Sequence, residues 1–112
     1  MSGITTHVLD TSLGKPAVAL AVQLSVREGE QLRVLAVSTT DADGRVQKFA
    51  TDAPLSAGTY QLSFETAAYF RATQRQSFFE RVTLEFSVAS AAEHYHVPLL
   101  LSPFGYTTYR GT

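Results

Sequence analysis

The sequence predicts an all-β sandwich built from eight short strands, with one short helix near the middle of the chain. Three observations lead to this prediction: apolar and polar residues alternate over successive short stretches, turn residues separate these stretches, and one Ala-rich segment departs from the alternation. Short strands at this spacing are typical of two packed sheets. A chain of 112 residues has room for one domain, which we assign to residues 1–112.

Five of the predicted strands lie in the first part of the chain. The clearest has an apolar residue at every second position from Val18 to Val26, which is the pattern of a strand with one face on a core. The segment 41–44, Asp-Ala-Asp-Gly, marks a tight turn, because Asp side chains bond the nearby backbone and Gly tolerates positive φ. These five strands are predicted at residues 4–10, 18–26, 32–39, 45–49 and 59–65, with a loop at residues 51–58.

The second part of the chain supplies the helix and the remaining three strands. Residues 66–73 are rich in Ala and lack alternation, which favours a short helix. Alternation resumes in a strand at residues 82–88, where Val, Leu, Phe and Val occupy every second position. The last two strands are predicted at residues 94–102 and 106–110, each preceded by a turn.

Composition and charge exclude several function classes. Nine Lys and Arg against ten Asp and Glu give a net charge of −1, so the sequence offers no basic stripe for phosphates and we expect no nucleic-acid partner. The absence of cysteine removes disulfides, thiolate nucleophiles and Cys-ligated metals. No apolar run approaches the ~20 residues needed to cross a bilayer, and the first residues lack the pattern of a signal peptide. We therefore expect a cytoplasmic protein without membrane association.

The three histidines are the side chains best suited to move protons near neutral pH. His94 and His96 lie two residues apart on a predicted strand, so both should face one side of the sheet, with Tyr95 on the other side. His7 faces outward if Val8 faces the core. Each histidine taken alone is better explained as an ordinary surface residue. A zinc site with three imidazoles is an alternative that ranks below proton chemistry, because no Asp or Glu obviously completes it.

Arg45 and the end of the chain are further candidates. Arg45 directly follows the predicted turn, where its guanidinium can bind a planar anion through two hydrogen bonds. The simpler alternative is a solubilising charge that pairs with Asp41 or Asp43. The chain closes on Tyr-Thr-Thr-Tyr-Arg-Gly-Thr at residues 106–112, whereas most chain ends are polar tails. An end that must be held in place would have this pattern, and so would a shortened chain.

Three blocks of sequence together resemble the transthyretin-related proteins, and among them the 5-hydroxyisourate hydrolases. The first is Thr-His-Val-Leu-Asp at 6–10 with Gly-Lys-Pro-Ala at 14–17, the second is Thr-Asp-Ala-Asp-Gly-Arg at 40–45, and the third is the segment 94–112. The likeness runs through essentially the whole chain in the family's order. It departs at the last residue, because hydrolases of the family close on Tyr-Arg-Gly-Ser and this chain has Thr112, which keeps the hydroxyl but adds a methyl group.

The resemblance implies a fold, an assembly and an activity. The fold is a transthyretin-like sandwich of two four-stranded antiparallel sheets, with the helix between the fifth and sixth strands. The assembly is a homotetramer, a dimer of dimers, with active sites between the dimers. The activity is hydrolysis of a small-molecule substrate, 5-hydroxyisourate, to 2-oxo-4-hydroxy-4-carboxy-5-ureidoimidazoline in urate degradation, and it needs no metal or organic cofactor.

The resemblance also implies which residues act. Two histidines handle the protons of water and of the leaving ring nitrogen, while an arginine steadies the developing negative charge. Which histidine is the base, and what His94 does, stay open. A non-catalytic carrier like transthyretin, which binds small hydrophobic hormones, is the alternative function. The implied catalytic residues are His7, Arg45, His96 and Thr112, and the implied substrate-binding residues are His7, Arg45, Tyr109 and Arg110.

Overall fold

The computed structural model of the protein describes residues 3–52 and 54–112, and within them the chain forms nine strands and one helix. The helix is α1 (Thr66–Ala72). The strands are β1 (Gly3–Asp10), β2 (Lys15–Pro16), β3 (Ala21–Glu28), β4 (Gln31–Thr39), β5 (Arg45–Val46), β6 (Gly58–Phe64), β7 (Val82–Val88), β8 (His94–Ser102) and β9 (Gly105–Thr108).

The strands form two sheets around a shared core, which confirms the predicted sandwich. One sheet has the order β2-β1-β8-β9, with β5 also paired to β1, and the other has the order β4-β3-β6-β7. Two details differ from a pair of four-stranded antiparallel sheets. The two-residue strands β2 and β5 give the first sheet five members, and β1 runs parallel to β8. Alternation shows neither detail, because it marks which face of a strand is buried and not the direction of its neighbour.

The core consists of the inward-facing residues of both sheets. Every second residue of β1 is buried, and β6 has the same alternating pattern. Fully burying one such aliphatic side chain contributes roughly 1.5–3 kcal/mol. The core residues with no exposed surface include Val8, Val22, Leu24, Leu62, Phe64 and Leu99.

The predicted helix at residues 66–73 is confirmed, and α1 buries Tyr69 and Phe70 against the core. The strand predicted at 18–26 begins only at Ala21, because Ala19 adopts a left-handed φ of 62° that interrupts extended backbone. The strand predicted at 45–49 is confined to β5, which pairs with β1 only at Thr6 and His7. In the predicted loop at 51–58, Ala53 lies outside the described residues. No helix in the described parts of the chain is long and apolar enough to cross a membrane.

Candidate functional site

The outward face of the sheet that contains β1 and β8 collects the histidines. Because β1 buries its even-numbered residues, Thr5 and His7 face outward. On β8 the residues that flank His96 are buried, so His94 and His96 face outward together, as the sequence predicted. The parallel register sets Thr5 opposite His96. Four polar side chains of two neighbouring strands therefore share one surface.

Arg45 joins this surface through the turn that precedes it. The Asp41 carboxylate accepts hydrogen bonds from the backbone N–H groups of Asp43 (2.9 Å) and Arg45 (3.0 Å). The backbone hydrogen bond from Arg45 is the main cause that holds the pKa of Asp41 below its usual value. Gly44 has a φ of 76° and packs so closely on β1 that a Cβ would collide with the carbonyl oxygen of Val8. The turn thus sets Arg45 opposite His7 in the β1–β5 pair.

The C-terminal segment packs against His96. The Gly111 N–H donates a 2.8 Å hydrogen bond to the backbone carbonyl of His96. A Cβ at Gly111 would lie 2.6 Å from Cδ2 of the His96 ring and 3.2 Å from Cγ of Pro98. Only glycine allows the segment to approach the imidazole this closely, and Thr112, the next residue, lines the same cavity as His96.

These segments line an open cavity of about 290 Å³ on the surface of the chain. It combines a guanidinium, two imidazoles and hydroxyl groups that come from strands distant in sequence. Three of the residues implied as catalytic, Arg45, His96 and Thr112, line it, and the fourth, His7, lies beside Arg45 in the sheet. The lining residues are Thr5, Thr6, Arg45, Val46, Gln47, His94, His96 and Thr112.

The electrostatic surroundings of His96 favour its neutral form. Burial of the imidazole is the largest cause that lowers the pKa of His96, and electrostatic interactions with Arg45, His7 and His94 lower it further. A histidine whose pKa lies below its usual value is unprotonated near neutral pH. His96 can therefore accept a proton there.

Thr5 is a site residue that the sequence reasoning missed. Its Oγ1 lies 2.8 Å from Nδ1 of His96 and 3.0 Å from Nε2 of His94. The signal available in the sequence was its position two residues before His7, on the same face of the strand. That signal gains meaning only once β8 is known to lie beside β1.

Tyr109 and Arg110 line a different cavity, also about 290 Å³, together with residues of β7 and with Tyr95. The Arg110 guanidinium lies 4.6 Å from the centre of the Tyr95 ring and 3.5 Å from a carboxylate oxygen of Glu93. The two residues implied as substrate contacts are therefore not gathered with Arg45 in the cavity of the single chain.

Within residues 3–52 and 54–112, no group of three or more His, Cys, Asp or Glu side chains is arranged to hold a metal ion. The three imidazoles lie along the sheet, and two of them are bridged by the Thr5 hydroxyl.

Several known proteins are similar to this chain over nearly its full length. The 5-hydroxyisourate hydrolase of Caulobacter vibrioides is 45% identical over 100% of both chains. The enzyme of the same name from Mus musculus is 42% identical, over 99% of this chain and 96% of its own.

Solved structures of proteins from the same group are also similar to this chain. The 5-hydroxyisourate hydrolase of Klebsiella pneumoniae superimposes with a TM-score of 0.87 at 42% identity, covering 99% of this chain and 100% of its own. Sea bream transthyretin in complex with thyroxine superimposes with a TM-score of 0.90 at 31% identity, covering 97% of this chain and 94% of its own. The model of the HIUase/Transthyretin family matches residues 4–111. The chain therefore belongs to the HIUase/Transthyretin family.

Proposed function

We propose that this protein hydrolyses 5-hydroxyisourate to 2-oxo-4-hydroxy-4-carboxy-5-ureidoimidazoline in urate degradation. The observation that carries the proposal is the convergence of Arg45, His96 and Thr112, from three distant segments, on one cavity beside His7. Relatives that share 42–45% identity over nearly the whole chain bear the name of this activity, which supports the proposed substrate.

The reaction opens a ring by attack of water on a cyclic acyl carbon, and this chemistry has three requirements. A base must take a proton from water, which is a poor nucleophile at neutral pH. A donor must meet the oxyanion that develops on the attacked carbonyl. The leaving ring nitrogen must receive a proton. Proton transfer by a positioned side chain typically contributes ~10²–10⁴ in rate.

The cavity, together with the adjoining His7, offers a group for each requirement. His96, partly buried and neutral near pH 7, accepts the proton of water. Arg45 binds the carbonyl edge of the substrate and stabilises the negative charge that develops there. His7 orients the water or returns a proton to the ring nitrogen, and the Thr112 hydroxyl closes the cavity.

Tyr109 and Arg110 keep a proposed role in substrate binding. Since they line the second cavity in the single chain, we expect them to act in the assembled oligomer.

The proposed oligomer is a homotetramer, and large exposed apolar side chains support association: Val37, Phe78 and Phe104 are each at least 67% exposed. Light scattering after size-exclusion chromatography tests the tetramer.

The direct test of the activity mixes urate, a urate oxidase and this protein. Hydroxyisourate forms in the cuvette, and its absorbance should decay faster than it does without the protein. The acceleration should scale with protein concentration. It should also survive a chelator, since the proposed mechanism needs no metal. Decay at the spontaneous rate at every protein concentration would contradict the proposal.

The proposed cytoplasmic location is a separate point, and cell fractionation tests it.

A second candidate is a carrier for a small hydrophobic ligand. The observation that favours it is the close structural likeness to sea bream transthyretin, whose structure contains thyroxine. Titration calorimetry with thyroxine distinguishes the two functions. Tight thyroxine binding without acceleration of hydroxyisourate decay would favour the carrier.

A further inference from the structure

One hydroxyl group connects two imidazoles on the outward face of the β1–β8 pair. Thr5 Oγ1 is within hydrogen-bond distance of His96 Nδ1 (2.8 Å) and of His94 Nε2 (3.0 Å). The residue opposite His94 in the register is Gly3, which has no side chain to compete for that ring. The Thr5 hydroxyl is thus the group of β1 to which both rings are bonded.

The number of hydrogen atoms restricts the states of this cluster. A threonine hydroxyl has one hydrogen, and each neutral imidazole carries one hydrogen on one of its two nitrogens. If Thr5 donates its hydrogen to His94, it accepts the hydrogen of His96 Nδ1, and Nε2 of His96 carries a free lone pair. If Thr5 donates to His96 instead, Nδ1 must be bare and the ring hydrogen moves to Nε2. Thr5 therefore couples the tautomers of the two histidines.

We infer that Thr5 is a positioning residue, which holds His96 in the tautomer with a hydrogen on Nδ1 and a free lone pair on Nε2, while His94 accepts the hydroxyl hydrogen. This inference rests on the proposed function. It assigns the role of general base to His96 rather than His7. It also gives His94 a role, as the acceptor that orients the hydroxyl.

The proton balance of the proposed reaction fits this arrangement. Nε2 of His96 takes a proton from water while the water oxygen forms a bond to the acyl carbon. The bond from that carbon to the ring nitrogen then breaks, and the proton passes from Nε2 to the nitrogen, directly or through His7. Throughout these steps the Nδ1 hydrogen of His96 stays bonded to Thr5 Oγ1. The base changes its charge without breaking the bond that orients it.

The charges around the cluster act in the same direction. Arg45 of β5, His7 of β1 and His94 of β8 all disfavour a second proton on His96. Protonation of His94 would have a further effect, because its Nε2–H would then donate to Thr5 and release the hydroxyl hydrogen towards Nδ1 of His96. That hydrogen favours the tautomer in which Nε2 is no longer a base.

Three variants of one side-chain type test the inference. Thr5→Val keeps the branched shape and removes the hydroxyl, whereas Thr5→Ser keeps the hydroxyl and removes the methyl group. Thr11→Val is the matched control, since the Thr11 hydroxyl donates to the carbonyl oxygen of Leu101 on β8 from a position just after β1, six residues along the chain from Thr5. The readouts are kcat for hydroxyisourate and the tautomer of His96, from the ¹⁵N chemical shifts of its ring nitrogens.

We expect Thr5→Val to lower kcat about tenfold to a hundredfold, which is the usual effect of removing a partner that orients an imidazole. The His96 signals should change from the Nδ1–H tautomer to a mixture. Thr5→Ser should restore both kcat and the tautomer, and Thr11→Val should change neither.

The inference is overturned if Thr5→Val retains the parent kcat and tautomer, or if Thr11→Val lowers kcat by the same factor. An Nε2–H tautomer of His96 in the parent protein would also overturn it. The tautomer readout does not depend on turnover. A parent protein with the Nδ1–H tautomer and no hydrolase activity would therefore refute the proposed function, and with it the catalytic consequence, while leaving the hydrogen-bond assignment intact.

Discussion

Strand β1 carries two polar clusters of opposite character. The histidine cluster, formed by Thr5, His7 and their neighbours on β5 and β8, lies on the outward face and lines a cavity. The second cluster surrounds Asp10 at the end of the same strand, on the inward side. His7 of the first cluster and Asp10 of the second are three residues apart along the chain. The clusters differ because their side chains face opposite sides of the strand.

The Asp10 carboxylate is buried and has several hydrogen-bond donors, although Ser12 and Arg75 keep contact with solvent. Asp10 has no exposed surface, and its carboxylate accepts hydrogen bonds from Tyr69 Oη (2.7 Å), Ser12 Oγ (2.6 Å) and the Arg75 guanidinium (2.5 Å). Burial raises the pKa of Asp10, but the combined hydrogen bonds from these groups, the one from Arg75 first, outweigh it and hold the pKa at about 2. The same cluster raises the pKa of Tyr69 to about 12, through burial and its bond to the carboxylate.

In the histidine cluster the neighbouring groups disfavour the charged form of the central residue, whereas in the Asp10 cluster they favour it. His96 is surrounded by Arg45, His7 and His94, which are cationic or can become so and lower its pKa. Opposite charges meet around Asp10, whereas the groups around His96 disfavour a positive charge on its ring. Groups of the same charge sign at a cavity lower the stability of the fold but favour a reactive protonation state. A buried charge that is paired with an opposite charge contributes to the stability of the fold. The comparison predicts that the first cluster controls rate and the second controls folding.

The largest expected effect is on the rate of the His96→Asn variant. The amide cannot accept the proton of water, so we expect kcat to fall by ~10²–10⁴. Because the imidazole is only partly buried, the free energy of unfolding in urea should change little. Stopped-flow measurement of hydroxyisourate decay, together with urea titrations, checks both parts. Parent-like turnover would remove His96 from the mechanism.

The Asp10→Asn variant should show the opposite behaviour. Breaking a buried ion pair costs about 3–5 kcal/mol, and we expect about 3 kcal/mol here because Arg75 keeps some exposure to water. The loss is measured by urea unfolding, and kcat should stay close to that of the parent under conditions where the variant is folded. A fall in kcat with unchanged stability would contradict the division between the two clusters.

The pH dependence of stability sharpens the same prediction. The folded-state pKa of Asp10, about 2, lies below its ordinary value of 3.8, so its ionisation stabilises the folded state above pH 4. This contribution should disappear as the pH falls from 4 towards 2. The Asp10→Asn variant should lack that part of the acid-induced loss, which acid titrations of the parent and the variant compare directly.

The sequence alone predicts much of the fold but only part of either cluster. Alternation places the long strands, and the spacing of His94 and His96 correctly sets both rings on one face. The pairing of Asp10 with Arg75 spans 65 positions, and the bond of Thr5 to His94 spans 89. Both depend on which elements are neighbours in space, and alternation does not encode neighbours. The family resemblance named three of the residues that line the cavity, Arg45, His96 and Thr112, whereas the bridging hydroxyl of Thr5 required the register.

A smaller effect on rate is expected for Gly111→Ala. The new methyl group would lie 2.6 Å from Cδ2 of His96, so either the ring or the C-terminal segment must move. Because small displacements of a catalytic group are costly, we expect roughly a tenfold loss of kcat with little change in unfolding free energy. Gly105→Ala is the matched control, since its Cβ would meet only Oγ of Ser102 at 3.8 Å. Equal activity of the two variants would show that the ring does not need this contact.

The smallest expected effect is a shift in the titration of His96 in the Arg45→Gln variant. Burial is the main cause of the lowered pKa of His96, and the charge of Arg45 adds to it, so removing that charge should raise the pKa while leaving it below the ordinary value. NMR titration of the ring protons measures the shift, and Lys15→Gln, at the start of β2, is the control for losing one positive charge. Since the proposed base is neutral His96, the acid limb of the residual activity should move to higher pH in step with the NMR value. A titration that stays at the parent pKa would mean that the charge of Arg45 does not set the basicity of His96, and the contrast between the two clusters could then not be ascribed to this guanidinium.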